Sequence, residues 1–287
     1  MKKEDIFKIG IGTWKINCDD FDKDLDALIY SYQKGENYLS LYMMYNDGKV
    51  VNEMRKFIDK VDRQNIFINA NLEPMIEKIE DVEKQLDEYL DILNIDYVDS
   101  LQVHDPFVSK IPLLDVYKEI AKLVEKGKVR YIGISNTNLE QLKDINSVVK
   151  IDFFEGLYNL ECKTYEDIGV LDYCYENDIK FVCYQPLRRN RTSNRNYPIL
   201  VELAKKYNKT QNQIILNWII NEKKIMPLIK STNIERISEN IDSIYFKMDD
   251  TDYEKLNKFR SEEFDSVEID WSGNGGILID QLANQFK

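Results

Sequence analysis

The stretch "GKVRYIGISN", Gly127–Asn136, holds the signal that decides the fold. A helical pattern opens at Pro112, turns Val116, Ile120, Leu123 and Val124 to one side, and meets Gly127, a residue suited to a helix C-terminus. A short run rich in branched and aromatic side chains follows at once, so helix passes into strand across a single glycine. The same exchange recurs along the chain. Strand-like runs are "FKIGIGTW", "NYLSLY", "NIFINANL", "YVDSLQVH", "VRYIGISN", "FFEGLYN", "IKFVCYQPL" and "IMPLIKS". Between them lie amphipathic segments: Met75, Ile79, Val82, Leu86, Leu90 and Leu93 form one apolar stripe, and Thr210 is a natural N-cap for "TQNQIILNWII". Strands alternating with helices predict parallel pairing, and eight such units predict an α/β fold closed as a (β/α)8 TIM barrel. A Rossmann-like open sheet is the alternative. It is the weaker one, because "GIGTW" stops at GxG without the third glycine of a dinucleotide fingerprint.

Composition narrows the class. The chain has 287 residues, 43% hydrophobic and 31% charged, with a net charge of −12. That field repels nucleic acid and anionic membrane, so neither is an expected partner. Four cysteines without CxxC spacing and a single histidine argue against zinc, and no metal site is expected. The thiols read as reduced, and without a signal-like N-terminus or an apolar run of membrane length the expected location is cytoplasmic. No linker divides the chain, so one barrel domain over 1–287 is expected, with 259–287 as a C-terminal substrate-gating tail.

In such barrels chemistry sits at the C-terminal ends of the strands. The residues there, read in order, resemble the aldo-keto reductase family. "GIGTWK", "DYVDSLQVHDP", "GKVRYIGISN", "YNLECKTYEDIGVLDYCYENDIKFVCYQPL" and "IMPLIKSTNIERISENI" carry the resemblance from about Gly10 to Leu256. The resemblance implies a (β/α)8 barrel that binds NADP(H) and moves a hydride between nicotinamide and a carbonyl or alcohol. It implies that Lys230 and Arg236 hold the 2′-phosphate, that Glu239 and Asn240 meet the adenine, and that Ser231 beside Lys230 belongs to the same cofactor-binding segment. A dianionic phosphate suits a point charge beside a guanidinium fork. Tyr184 matches the tyrosine that stacks under the nicotinamide, Ser135 and Asn136 match the pair that holds its carboxamide, and Glu155 stands where the family presents a glutamine. Trp14 matches a substrate-pocket tryptophan.

The catalytic half departs from the family. Tyr45 and His104 match the proton donor and the carbonyl-orienting histidine. The aspartate and lysine that tune the tyrosine are replaced by Ser40 and Asn71. Losing one partner would strand a buried charge; losing both lets the barrel survive with impaired proton donation, since a free tyrosine titrates near pH 10. The reading is therefore an oxidoreductase with a modified proton relay acting on a specialised small molecule. A redox-neutral enzyme of lyase or isomerase type on the same barrel and a non-catalytic NADP(H)-binding regulatory protein stay open, the latter with a protein partner. The basic loop "PLRRNRTSNR" is expected over the cofactor pyrophosphate, with surplus arginines facing an anionic substrate.

Overall fold

In the computed structural model, which describes residues 1–104 and 109–261, eight parallel strands close into a barrel in sequential order. They are β1 (Gly10–Gly12), β2 (Tyr38–Tyr42), β3 (Phe67–Leu72), β4 (Val98–Val103), β5 (Val129–Ser135), β6 (Phe153–Leu157), β7 (Lys180–Tyr184) and β8 (Met226–Ile229). Helices cover them: α1 (Phe21–Gln33), α2 (Lys49–Ile58), α3 (Glu80–Leu93), α4 (Leu113–Glu125), α5 (Leu139–Asn146), α6 (Thr164–Asp167), α7 (Val170–Glu176), α8 (Arg191–Asn194), α9 (Pro198–Tyr207), α10 (Gln211–Asn217), α11 (Ile234–Asp242) and α12 (Asp250–Lys258). The opening stretch behaves as its sequence dictates. α4 stops beside Gly127, whose φ of +76° only glycine adopts without strain, and β5 starts two residues later.

The capping signals hold locally. Thr210 accepts the Gln213 N–H while the Gln213 side chain returns to the Thr210 N–H, which starts α10. The stripe from Met75 is shorter than its pattern. α3 begins at Glu80, and Met75 stays exposed on the preceding loop.

Two cores result. The larger lies between barrel and helices and takes in Ile68, Leu101, Ile120, Phe181 and Trp218. The smaller plugs the floor of the barrel with Ile6, Tyr38, Phe67, Phe153, Val182, Met226 and Leu228. Its Tyr38 and Phe67 rings stack at 5.1 Å. With period-two alternation, floor residues are followed inside the barrel by Ser40, Asn69, Ser100 and Glu155, and then by Tyr42, Asn71 and His104 at the mouth. The inner space above the floor is therefore polar. Gly133 makes room for it, because a Cβ there would stand 2.6 Å from Gln102 Oε1.

The expected tail lies outside the described residues from 262 onward, apart from its root at 259–261. No described helix is long and apolar enough to cross a membrane.

Candidate active site at the barrel mouth

Ser40 and Asn71, the two positions expected to be substituted, are neighbours in space. β2 and β3 are paired with Tyr42 opposite Asn71, and the Asn71 amide donates to Leu41 O at 2.8 Å and to Ser40 Oγ at 3.4 Å. Asn71 Oδ1 accepts from Gln102 Nε2 at 2.6 Å. The same nitrogen donates to Glu155 Oε2 at 3.0 Å, where Asn69 Nδ2 also arrives at 3.3 Å. Ser100 Oγ closes the chain on Asn69 Oδ1 at 2.5 Å. A hydrogen-bonded layer of amides, hydroxyls and one carboxyl thus stands around Ser40 and Asn71. Burial lifts the Glu155 carboxyl to about 7, opposed by the bonds from Gln102 and Ser40.

Glu155, expected beside the nicotinamide carboxamide, has its side chain inside the barrel. Its Cα is in register with Ser135, yet its side chain is committed to Gln102 and Asn69 in the barrel interior and is 4% exposed. It is a member of the buried polar layer. The layer had a legible signal that the resemblance passed over: polar residues recur every second position in "INAN" and "DSLQ", within strands otherwise built for burial.

Above the layer, three rings meet. Tyr42 lies flat on His104, with centroids 3.9 Å apart and planes at 21°. Tyr45 stands edge-on to both, at 5.1 Å from Tyr42 and 6.4 Å from His104. Burial holds the His104 imidazole down at about 4, so it is neutral at neutral pH, and its Nδ1 is buried without a hydrogen-bond partner. Tyr42 is thus the described ring in closest contact with the histidine.

On the opposite rim, Asn136 adopts a left-handed conformation directly after β5 (φ +54°). Its amide donates to His104 O at 3.0 Å and accepts from Tyr184 Oη at 3.0 Å, tying the ends of β4, β5 and β7 together. Ser135 Oγ, beside it, is buried with no partner, which leaves a hydroxyl for a ligand's amide.

At the β8 end, Ser231 Oγ and Asn233 turn the chain into α11, where Asn233 Oδ1 caps the Arg236 N–H at 2.9 Å. Arg236 is exposed, and its guanidinium makes no ion pair among the described residues. Asn240 is buried in the wall of a cleft that also includes Lys230, Ser231 and Thr232. Glu239 accepts from Thr210 Oγ1, which joins α11 to α10. An exposed guanidinium in the first turn of α11, next to a cleft lined by a lysine, suits a phosphate.

Trp14 stands just past β1, 37% exposed, between the Arg189 guanidinium at 4.0 Å from its ring and the Lys15 ammonium at 4.7 Å. Two of the loop arginines have another duty than the one expected. Arg188 is ion-paired with the buried Glu161, and Arg195 reaches the same carboxylate at 3.3 Å. Thr192 and Tyr197 complete that node, at 3.2 and 2.7 Å. They fasten the loop after β7 and do not face the mouth as spare cations.

The family model for the aldo/keto reductase family matches residues 8–261. The chain belongs to the aldo/keto reductase family. Its relatives include aldose reductase C of Dictyostelium discoideum, 26% identical with 95% of this chain and 92% of that protein covered. The NADPH-dependent alpha-keto amide reductase of Saccharomyces cerevisiae is 29% identical, covering 70% of this chain and 67% of its own length. Among solved structures, a thermostable aldo-keto reductase crystallised with the inhibitor epalrestat superposes with a TM-score of 0.82 at 28% identity, over 88% of this chain and 94% of that one. In this member of an oxidoreductase family, Tyr45 and a neutral His104 stand at the barrel mouth above a layer of amide, hydroxyl and carboxyl groups.

Proposed function

We propose that this aldo/keto reductase binds NADP(H) and acts on the carbonyl or alcohol of a specialised small molecule by a modified proton relay. One observation carries the reading. Tyr45 and a neutral His104 remain within ring contact at the mouth, opposite the unpaired Ser135 hydroxyl, while Ser40 and Asn71 are stitched into a network of amides, hydroxyls and the Glu155 carboxyl. Ser135 would hold the nicotinamide amide, Tyr184 would support its ring, and Lys230 with Arg236 would anchor the 2′-phosphate. The bound nicotinamide supplies the hydride. Tyr45 donates or accepts the proton at its hydroxyl, and His104 orients the substrate oxygen. With asparagine at position 71, where the family's lysine lowers the tyrosine's pKa, proton transfer is weakest for a simple aldehyde. A substrate that bears its own acidic hydrogen, or that needs little protonation, suits the site better.

The stack of Tyr42 on His104 supports a second reading, a redox-neutral enzyme on the same barrel. Tyr42 covers one face of the imidazole and leaves less room for a carbonyl between Tyr45 and His104.

The experiment is a fluorescence titration with NADPH, followed by NADPH consumption across a carbonyl panel and by product analysis without net nicotinamide change. Tight binding with turnover that disappears in Tyr45→Phe is the expected result. Binding with redox-neutral conversion selects the second reading, and no binding of the nucleotide overturns both.

A further inference from the structure

The cleft at the β8 end has two walls of opposite character. Lys230, Ser231, Thr232 and Asn240 form one; Asp24, Ser31 and Glu36, from α1 and the turn after it, form the other. Asp24 and Glu36 are both buried, at 6% and 5% side-chain and residue exposure respectively. Asp24 Oδ2 is held by the Asn17 N–H at 3.0 Å and lies 3.6 Å from Lys230 Nζ. α1 is fixed against α11 by the hydrogen bond between Tyr30 Oη and Ser238 Oγ at 2.6 Å, so the carboxylate cannot easily retreat from the lysine.

We propose that Asp24 sets this enzyme's discrimination between phosphorylated and unphosphorylated adenosine ribose, by engaging Lys230 in an ion pair that a 2′-phosphate must disrupt or share. The inference rests on the reading that Lys230 anchors the cofactor. A dianionic phosphate gains from Lys230 and Arg236 but meets the Asp24 charge a few ångströms beyond the lysine. An unphosphorylated ribose meets no such repulsion, and its 2′-hydroxyl is a donor that a carboxylate accepts. Specificity is a difference of affinities, and a like charge beside the site is a way to reduce it. The arrangement therefore gives weaker preference for NADPH over NADH than Lys230 and Arg236 alone would give.

The test is the dissociation constant of NADPH and of NADH, by nicotinamide fluorescence, for the native chain, Asp24→Asn and Lys230→Met. Asparagine keeps an acceptor for the Asn17 N–H and removes the charge. Asp24→Asn is expected to raise the ratio of NADPH to NADH affinity by roughly threefold to tenfold, with NADH binding nearly unchanged. Lys230→Met is expected to weaken NADPH selectively. If Lys230→Met weakens NADPH and Asp24→Asn leaves the ratio unchanged or lowers it, the inference falls and the anchoring reading stands. If Lys230→Met leaves NADPH binding intact, both fall. Should Asp24→Asn unfold, Asp24→Ser carries the same expectation, with circular dichroism as the check on folding.

Discussion

His104 is the single histidine of the chain, so its state can be read without assignment. Burial under the Tyr42 ring lowers its pKa to about 4. A proton NMR titration should show one imidazole signal that stays in its neutral position from pH 8 to 5 and moves only near 4. A midpoint at the ordinary value of about 6.5 would contradict the burial. Tyr42→Ala should shift that signal downfield, by removal of the stacked ring, and bring the midpoint back toward the ordinary value. At the substituted pair, Ser40→Asp with Asn71→Lys should raise generic aldehyde reduction by about 10²-fold or more, by restoring a cation near Tyr45. A double variant that folds, binds NADPH and stays inert would mean that these two positions do not govern Tyr45.

At the scale of elements, the loop between β7 and α9 depends on one carboxylate. Glu161 and Arg188 are both fully enclosed, and Thr192, Arg195 and Tyr197 converge on the same group. Glu161→Gln should leave the Arg188 charge buried and uncompensated, costing roughly 3–5 kcal/mol. Urea unfolding measures it; a loss below about 1 kcal/mol would show that the loop relaxes and releases Arg188 to water. Lys163 plays a comparable part for α12. Its ammonium donates to Leu256, Asn257 and Phe259 carbonyls at 2.8, 2.9 and 2.9 Å, which otherwise end the helix unpaired. Neither anchor is predictable from periodicity, since each joins segments distant in sequence.

For the whole molecule, two buried carboxyls shape the response to pH. Burial lifts both Glu36 and Glu155 from 4.5 to about 7. Between those values the unfolded chain has lost the protons that the native state retains. Their contribution to stability is therefore full below about 4.5, declines as pH rises toward 7, and is flat above it. Each amounts to a few kcal/mol at most, on the order of 1.4 kcal/mol per pKa unit. The double variant Glu36→Gln, Glu155→Gln should lose much of the difference in Tm between pH 5 and pH 8, with its stability at pH 8 raised relative to the native chain. An undiminished difference would locate the pH response elsewhere.

The barrel was legible because each βα unit writes its own boundary: a glycine at a helix end, a cap such as Thr210, a short strand of three to seven residues. Those signals are local, and eight of them in order leave few ways to close a sheet. Strand-end positions carried Tyr45, His104, Ser135 and Lys230 to the mouth by the same logic. What surrounds them was not legible. That Glu155 turns inward to Gln102 and Asn69, that Tyr42 lies on His104, and that Asp24 meets Lys230 all depend on side chains brought together across strands and helices far apart in the chain. The sequence alone determined the fold and the identity of the residues at its mouth, because periodicity and capping act over a few neighbouring residues. Only the tertiary structure decided which of those residues face each other, and so which charges are paired, because hydrogen bonds and ion pairs form by distance in space.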